Sequence, residues 1–215
     1  MGQRFQSIFI LPKVFMNEDN PNNRDKKVLV FHNQWLYGYM AVEINLKIMQ
    51  RLQKAIKHNK KGKYFRTTED IINHRLENSL NNAIKYCGLE PIENERKFDL
   101  STDFIFENYI KFARELINQD NNNGFFICEI DNKLNFTYSF ISGFEDENNI
   151  KIKTPYEYVN LFYSDEDIKK FSEYDKKRFD KLLNDWVKFK TIDSDKINQV
   201  VKILNENKPS WLIAE

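Results

Sequence analysis

The hydrophobic and polar positions first form a regular pattern in residues 3–15, where aromatic and β-branched residues occupy both faces of an extended chain. This composition is typical of a strand with neighbours on both sides. A polar loop over residues 16–26 leads to a second strand that begins at Lys27 and ends near Trp35. We expect these two strands to pair as an antiparallel ribbon.

From about Tyr39 the pattern changes to one apolar residue every four positions, which predicts a long helix ending at residues 60–63. The apolar positions of this helix are Met40, Ile44, Ile48, Leu52 and Ile56. Thr67 and Asp70 form a capping-box pattern, which predicts a second helix that ends at Gly88. A third helix, apolar on adjoining faces, is predicted over residues 102–118.

The second half of the chain begins with a predicted β-hairpin, Phe125 to Ile130 and Leu134 to Phe140, around the turn Asp131-Asn132. Ser164 is followed by an acid three residues later and should start a helix through Trp186, with a last helix over 194–207. The order ββαααββαα predicts an α+β fold, a small antiparallel sheet covered by helices on one or both faces. We expect residues 1–215 to form a single domain with a mainly helical part over 155–215.

Charge is distributed unevenly along the chain. Residues 44–66 contain eight Lys and Arg residues and no acid, while the whole chain has a net charge of +1, which leaves one minus eight, or −7, for the remainder. Such segregation favours an anionic partner on one side of the molecule or self-complementary association.

Composition and residue spacing argue against several classes of protein. The longest apolar runs are too short to cross a bilayer, so we expect no membrane partner and a cytoplasmic location. Cys87 and Cys128 lie far apart and are expected to be buried, reduced thiols. There is no C-x-x-C pair, and the three histidines do not fall at ligand spacing, so no metal site and no cofactor is predicted.

One arrangement could indicate an enzyme. Glu129-x-Asp131-x-Lys133 places two acids on one strand face near a lysine, as in metal-dependent nucleases. Asp131-Asn132 is equally what a tight turn requires, and no separate acidic partner is apparent. We therefore predict no catalytic residues and no enzyme. The sequence leaves open a Cys–His pair that meets only in space.

The basic helix is the first candidate binding surface. Its residues could contact phosphates or an acidic protein, and the candidate binding residues are Lys47, Arg51, Lys54, Lys61 and Arg66. The alternative is a solvated surface, which is the usual role of a lysine-rich helix face. The absence of acids within residues 44–66 favours binding, because solvated helices usually mix charges.

The second candidate site is the junction between the second strand and the first helix, His32-Asn33-Gln34-Trp35-Leu36-Tyr37-Gly38. If the first two strands pair, polar residues of both strands meet there, and a glycine at the start of a helix leaves room for a ligand near free N–H groups. The candidate binding residues are Arg4, Gln6, His32, Gln34, Trp35 and Tyr37. The alternative is that the aromatic residues belong to the core and the amides cap backbone.

Residues 3–6 (Gln-Arg-Phe-Gln) and the 32–38 segment resemble small uncharacterised proteins encoded by bacteriophages. The resemblance implies a phage or mobile-element accessory protein that binds a host protein, such as a nucleic-acid-handling defence effector of the CRISPR type. This partner could be a complex with nucleic acid. It would act in the host cytoplasm as an anti-CRISPR-like inhibitor. The first alternative is a direct RNA, DNA or nucleotide-signal binding protein, and the second is a structural virion or assembly protein.

Overall fold

The computed structural model describes residues 4–12, 26–34, 36–61, 67–88, 105–106, 109–117, 123–142 and 150–207, and these form an α+β fold as predicted. The strands are β1 Arg4–Leu11, β2 Lys26–Gln34, β3 Ile105–Phe106, β4 Phe125–Ile130, β5 Phe136–Ser142, β6 Lys151–Lys153 and β7 Lys190–Thr191. The helices are α1 Gly38–Lys61, α2 Thr68–His74, α3 Leu76–Tyr86, α4 Tyr109–Ile117, α5 Pro155–Asn160, α6 Asp165–Lys169, α7 Glu173–Trp186 and α8 Ser194–Asn207.

All the strands belong to one sheet in the order β3-β2-β1-β4-β5-β6, with β7 also paired to β5. β1 is an inner strand, antiparallel to β2, which confirms the predicted ribbon. The sheet is mixed rather than antiparallel, because β1 pairs with β4 and β5 with β7 in parallel. Helices α1 to α4 lie between β2 and β4 in the chain and supply the long connection that parallel neighbours need.

Helices pack on both faces of the sheet, and the alternation along β1 shows the division. Phe5 and Phe9 point to a core shared with α1, α3, α5 and α7, whereas Ile8 and Ile10 point to a core shared with α4 and α8. Both apolar faces of β1 are therefore buried, as an inner strand requires. The single-domain assignment stays a prediction.

The second and third predicted helices differ in extent from the structure. Thr67 caps the second helix with the predicted capping box, but the backbone at Arg75, with φ −133°, divides it into α2 and α3. The third helix begins only at Tyr109, because Ile105–Phe106 pairs with β2 as an edge strand. The sequence did not predict this strand, because its two residues also fit the apolar pattern of a helix.

The hairpin of β4 and β5 is confirmed, but its loop is longer than a two-residue turn. It extends from Asp131 to Asn135, and Leu134 adopts a left-handed backbone with φ 63°. Ser164 caps a helix as predicted, yet that helix ends at Lys169, and Ser172 caps a separate helix, α7. The short elements β6, β7 and α5 were not predicted, because segments of two to six residues give little periodicity.

Candidate functional site: the exposed face of helix α1

Strand register brings the candidate residues of the junction together along the backbone. Arg4 lies opposite Gln34 and Gln6 opposite His32, which is the arrangement expected if the first two strands pair. The side chain of Gln6 is fully buried. The side chains of Arg4, His32 and Gln34, and the whole of Trp35, lie outside the described residues. Recognition by this junction stays a prediction.

The space around Gly38 is filled by the chain itself and is not open to a ligand as predicted. Gly38 is buried with φ +51°, and an added Cβ would lie 2.8 Å from Cε2 of Tyr163 and 3.2 Å from Cβ of Phe162. The ring of Tyr37 packs on Phe162 with centroids 5.2 Å apart. These contacts favour a scaffold role for the start of α1.

The basic residues of α1 lie on its solvent side. Lys47, Lys54 and Lys61 are exposed and Arg51 is half-buried, while Arg66 lies outside the described residues. Helical periodicity therefore identified a charged surface correctly. Lys61, in the last turn of the helix, is two turns beyond Lys54 and does not line the groove described next.

Arg51 makes the most distinctive contact of this surface. Its guanidinium carbon lies 3.0 Å from the ring centroid of Tyr86, at the end of α3, and Tyr86 is 69% exposed. A guanidinium over an aromatic face is held in place and keeps its outward N–H groups available. The stack depends on the packing of α3 against α1, so no local sequence signal predicts it.

The stack forms part of an open groove of about 620 Å³ between α1 and the end of α3. The residues that line it are Met40, Glu43, Ile44, Lys47, Gln50, Arg51, Lys54, Tyr86 and Cys87. Met40, predicted as an apolar position of the helix, is 45% exposed here, and Ile44 is only partly buried. The groove therefore combines cationic and apolar side chains.

One acid moderates the charge of this face. Glu43 lies one residue before the acid-free segment, and its Oε1 accepts hydrogen bonds from Nε and Nη2 of Arg178 on α7, at 3.2 and 2.6 Å. Nζ of Lys47 lies 3.2 Å from the same oxygen. This contact raises the pKa of Arg178 and links α1 to α7. Arg51 and Lys54 are thus the cations of the groove farthest from Glu43 along α1.

The cysteines are free, as predicted, although Cys87 is only half-buried. Burial raises the pKa of the Cys87 thiol, and nearby Arg51 and Lys47 reduce that increase without reversing it. Burial also raises the pKa of Cys128, which lies inside the sheet. Neither thiol has the lowered pKa that marks an activated nucleophile.

The two acids considered for nuclease chemistry, Glu129 and Asp131, lie in different surroundings. Glu129 is buried, its Oε2 accepts a hydrogen bond of 2.7 Å from Tyr109 Oη, and Lys196 Nζ lies 3.8 Å away. Asp131 is exposed in the loop and accepts 2.8 Å hydrogen bonds from the backbone N–H groups of Lys133 and Asn135. These contacts give both acids structural roles in the hairpin and its packing.

Within the described part of the chain, no group of three or more His, Cys, Asp or Glu residues could hold a metal ion. The helices of that part are also too short or too polar to cross a membrane. Comparisons with protein-family models, with curated proteins and with solved structures find no match to this chain. The geometry of the α1 face is therefore the main basis for a functional proposal.

Proposed function

We propose that this protein is a non-enzymatic binding protein whose α1 groove contacts an acidic surface of a host protein. The observation that carries the proposal is the stack of Arg51 on the exposed ring of Tyr86, which lies in a groove between charged and apolar side chains. Arginine and tyrosine are among the residues most often found at the energetic centre of interfaces. Solvation of a helix face does not by itself explain an arginine stacked on an exposed tyrosine.

Charge segregation supports the same proposal. The basic segment has a charge of +8 against −7 for the rest of the chain, and its described residues place an excess of positive charge on α1. Such a surface attracts and orients an acidic partner over a distance of about 8 Å at physiological salt. Binding through this face should therefore weaken as salt increases.

The resemblance of about the first forty residues to phage proteins supports the proposed class of partner. Phage accessory proteins without an enzyme motif often bind host defence machinery. We therefore propose a host defence effector that handles nucleic acid, such as a CRISPR effector, as the partner, bound in the host cytoplasm. The protein would act on it as an inhibitor.

Affinity capture from host cells tests this proposal. The Lys47→Glu, Arg51→Glu, Lys54→Glu variant reverses the groove charges, and it should fold normally but lose most of the captured protein. The matched control, Arg114→Glu, Lys190→Glu, Lys202→Glu, makes the same charge change with exposed residues of α4, β7 and α8, away from α1. It should retain capture. Equal capture by both variants, or no specific protein with the wild type, would count against the proposal.

Direct binding of nucleic acid or a nucleotide signal is the second candidate, favoured by the exposed ring of Tyr86 beside Arg51 and Lys54. Cations would contact phosphates while a base stacks on the ring. Protein purified at low salt should then contain nucleic acid that a high-salt wash removes. Clean protein at low salt, with no thermal shift on adding nucleotides, would reject this candidate.

A further inference from the structure

The α1 groove continues into a second groove, whose residues come from distant parts of the chain. This second groove, of about 540 Å³, lies between α1 and α7. Its lining residues are Tyr39, Glu43, Leu46, Lys47, Gln50, Tyr174, Lys177, Arg178, Lys181, Leu182 and Asp185. Glu43, Lys47 and Gln50 line both grooves, so the two grooves form one surface on either side of a ridge of α1.

The combined surface, which we call the α1–α7 surface, is cationic. Its six cationic residues are Lys47, Arg51, Lys54, Lys177, Arg178 and Lys181. Only Glu43 and Asp185 are acidic, which gives a net charge of +4. Lys177 and Lys181 are exposed and one helical turn apart on α7, so they can face the same occupant as the α1 cations.

The α1 residues that line the first groove have the spacing of a helix-packing stripe. Met40, Ile44, Lys47, Arg51 and Lys54 follow one another at steps of three or four residues. At 1.5 Å per residue this stripe is about 21 Å long, the length of about 14 helical residues. A groove of this length between neighbouring helices suits a helix laid along it.

We propose that the α1–α7 surface binds an acidic amphipathic helix of the partner, with α7 supplying cations on one side of it. This inference rests on the proposed function and names the chemistry of the partner segment. Carboxylates of that helix would face Arg51, Lys54, Lys177 and Lys181. Its apolar side would face Met40 and Ile44, at the apolar end of the α1 stripe.

Charge and ring access favour an acidic helix over single-stranded nucleic acid. The carboxylates of Glu43 and Asp185 lie on the ridge and in the second groove, where a continuous phosphate backbone would pass close to them. Arg51 already covers one face of Tyr86, which leaves a single face for stacking. A helix can place acids only where the surface has cations, whereas phosphates are evenly spaced.

The test uses a labelled synthetic peptide of about 14 residues, the length of the stripe. It places Glu residues to oppose the cations and Leu residues to oppose Met40 and Ile44. A scrambled peptide of the same composition and a single-stranded oligonucleotide are the comparison probes. Fluorescence anisotropy at low ionic strength should show saturable binding of the designed peptide, with the scrambled peptide and the oligonucleotide weaker.

The Lys177→Glu, Lys181→Glu variant should weaken peptide binding about tenfold or more, because it replaces two attractive charges by repulsive ones. The matched control is Lys190→Glu, Lys202→Glu, two exposed residues outside the surface, which should bind as the wild type does. Circular dichroism and denaturant melts verify that both variants fold. The same two variants are also compared in affinity capture.

The outcomes separate this inference from the proposed function. If the α1 triple variant loses capture while Lys177→Glu, Lys181→Glu captures and binds like the wild type, the proposed function stands and the α7 inference is overturned. Equal affinity for the scrambled peptide, no saturable peptide binding, or tighter binding of the oligonucleotide would also overturn it. If the α1 triple variant captures as well as the wild type, both proposals fail.

Discussion

Substituting Gly38 by alanine tests whether the start of α1 is scaffold or an open ligand site. Gly38 has φ +51°, and a Cβ would lie 2.8 Å from Tyr163 and 3.2 Å from Phe162. The same substitution at Gly88 is a matched control, because Gly88 has φ +74° and no atom within 4 Å of the added Cβ. Both variants share the backbone strain, and only one adds a steric clash.

The expected loss of stability is the sum of the backbone strain and the steric clash. A left-handed backbone costs an alanine about 1–2 kcal/mol, so Gly88→Ala should lower the free energy of unfolding by about that amount. Overpacking against the two rings adds about 1–3 kcal/mol at Gly38. The two rings cannot move away freely. Phe162 packs on Tyr37 and Tyr158, and Tyr163 packs on Phe171. Gly38→Ala should therefore lower the free energy of unfolding by about 2–5 kcal/mol.

Urea denaturation followed by far-ultraviolet circular dichroism measures both changes, with equal slopes expected for the two variants. Adding Tyr163→Ala removes the nearest ring atom, and a double-mutant cycle should then recover about 1 kcal/mol of the Gly38→Ala cost. If Gly38→Ala lowers the free energy of unfolding no more than Gly88→Ala does, the aromatic rings do not fill the space next to Gly38. The start of α1 would then be open to a ligand after all.

Two further predictions concern the acids once considered for catalysis. Tyr109→Phe removes the 2.7 Å donor of Glu129 and should cost about 1–3 kcal/mol in a denaturant melt, with an unchanged melt refuting the buried contact. For Asp131, burial would raise the pKa, but hydrogen bonds from Asn135 and Lys133 outweigh it and lower the pKa overall. The stability advantage of wild type over Asp131→Asn should thus be full above the ordinary aspartate pKa of about 3.9 and shrink as the pH falls below it. Metal-dependent nuclease activity that Asp131→Asn abolishes with the fold intact would show that Asp131 is catalytic instead.

Local sequence patterns were enough for those parts of the fold that depend on nearby residues. Thr67 and Ser164 identified two helix starts by their capping boxes, and the alternation along β1 identified an inner strand. The exposed basic face of α1 followed from helical periodicity. These features need only residues a few positions apart.

Features that depend on long-range packing could not be predicted in this way. The parallel pairing of β1 with β4 joins residues more than 100 positions apart. Tyr86 becomes part of the groove only because α3 packs on α1, and Arg178 reaches Glu43 only because α7 packs on α1. The aromatic side chains around Gly38 come from the segment after α5, far along the chain.

Site-specific photo-crosslinking tests the central claim most directly, because it shows which face the partner touches. A photoreactive benzoylphenylalanine replaces Tyr86 in the groove or, in the control protein, Ile110 of α4 on the other face of the sheet. Both residues are exposed, at 69% and 43%. In host cells the proposal predicts a crosslinked host protein from position 86, reduced at high salt and absent from position 110. A partner crosslinked from position 110 but not from position 86 would contradict it.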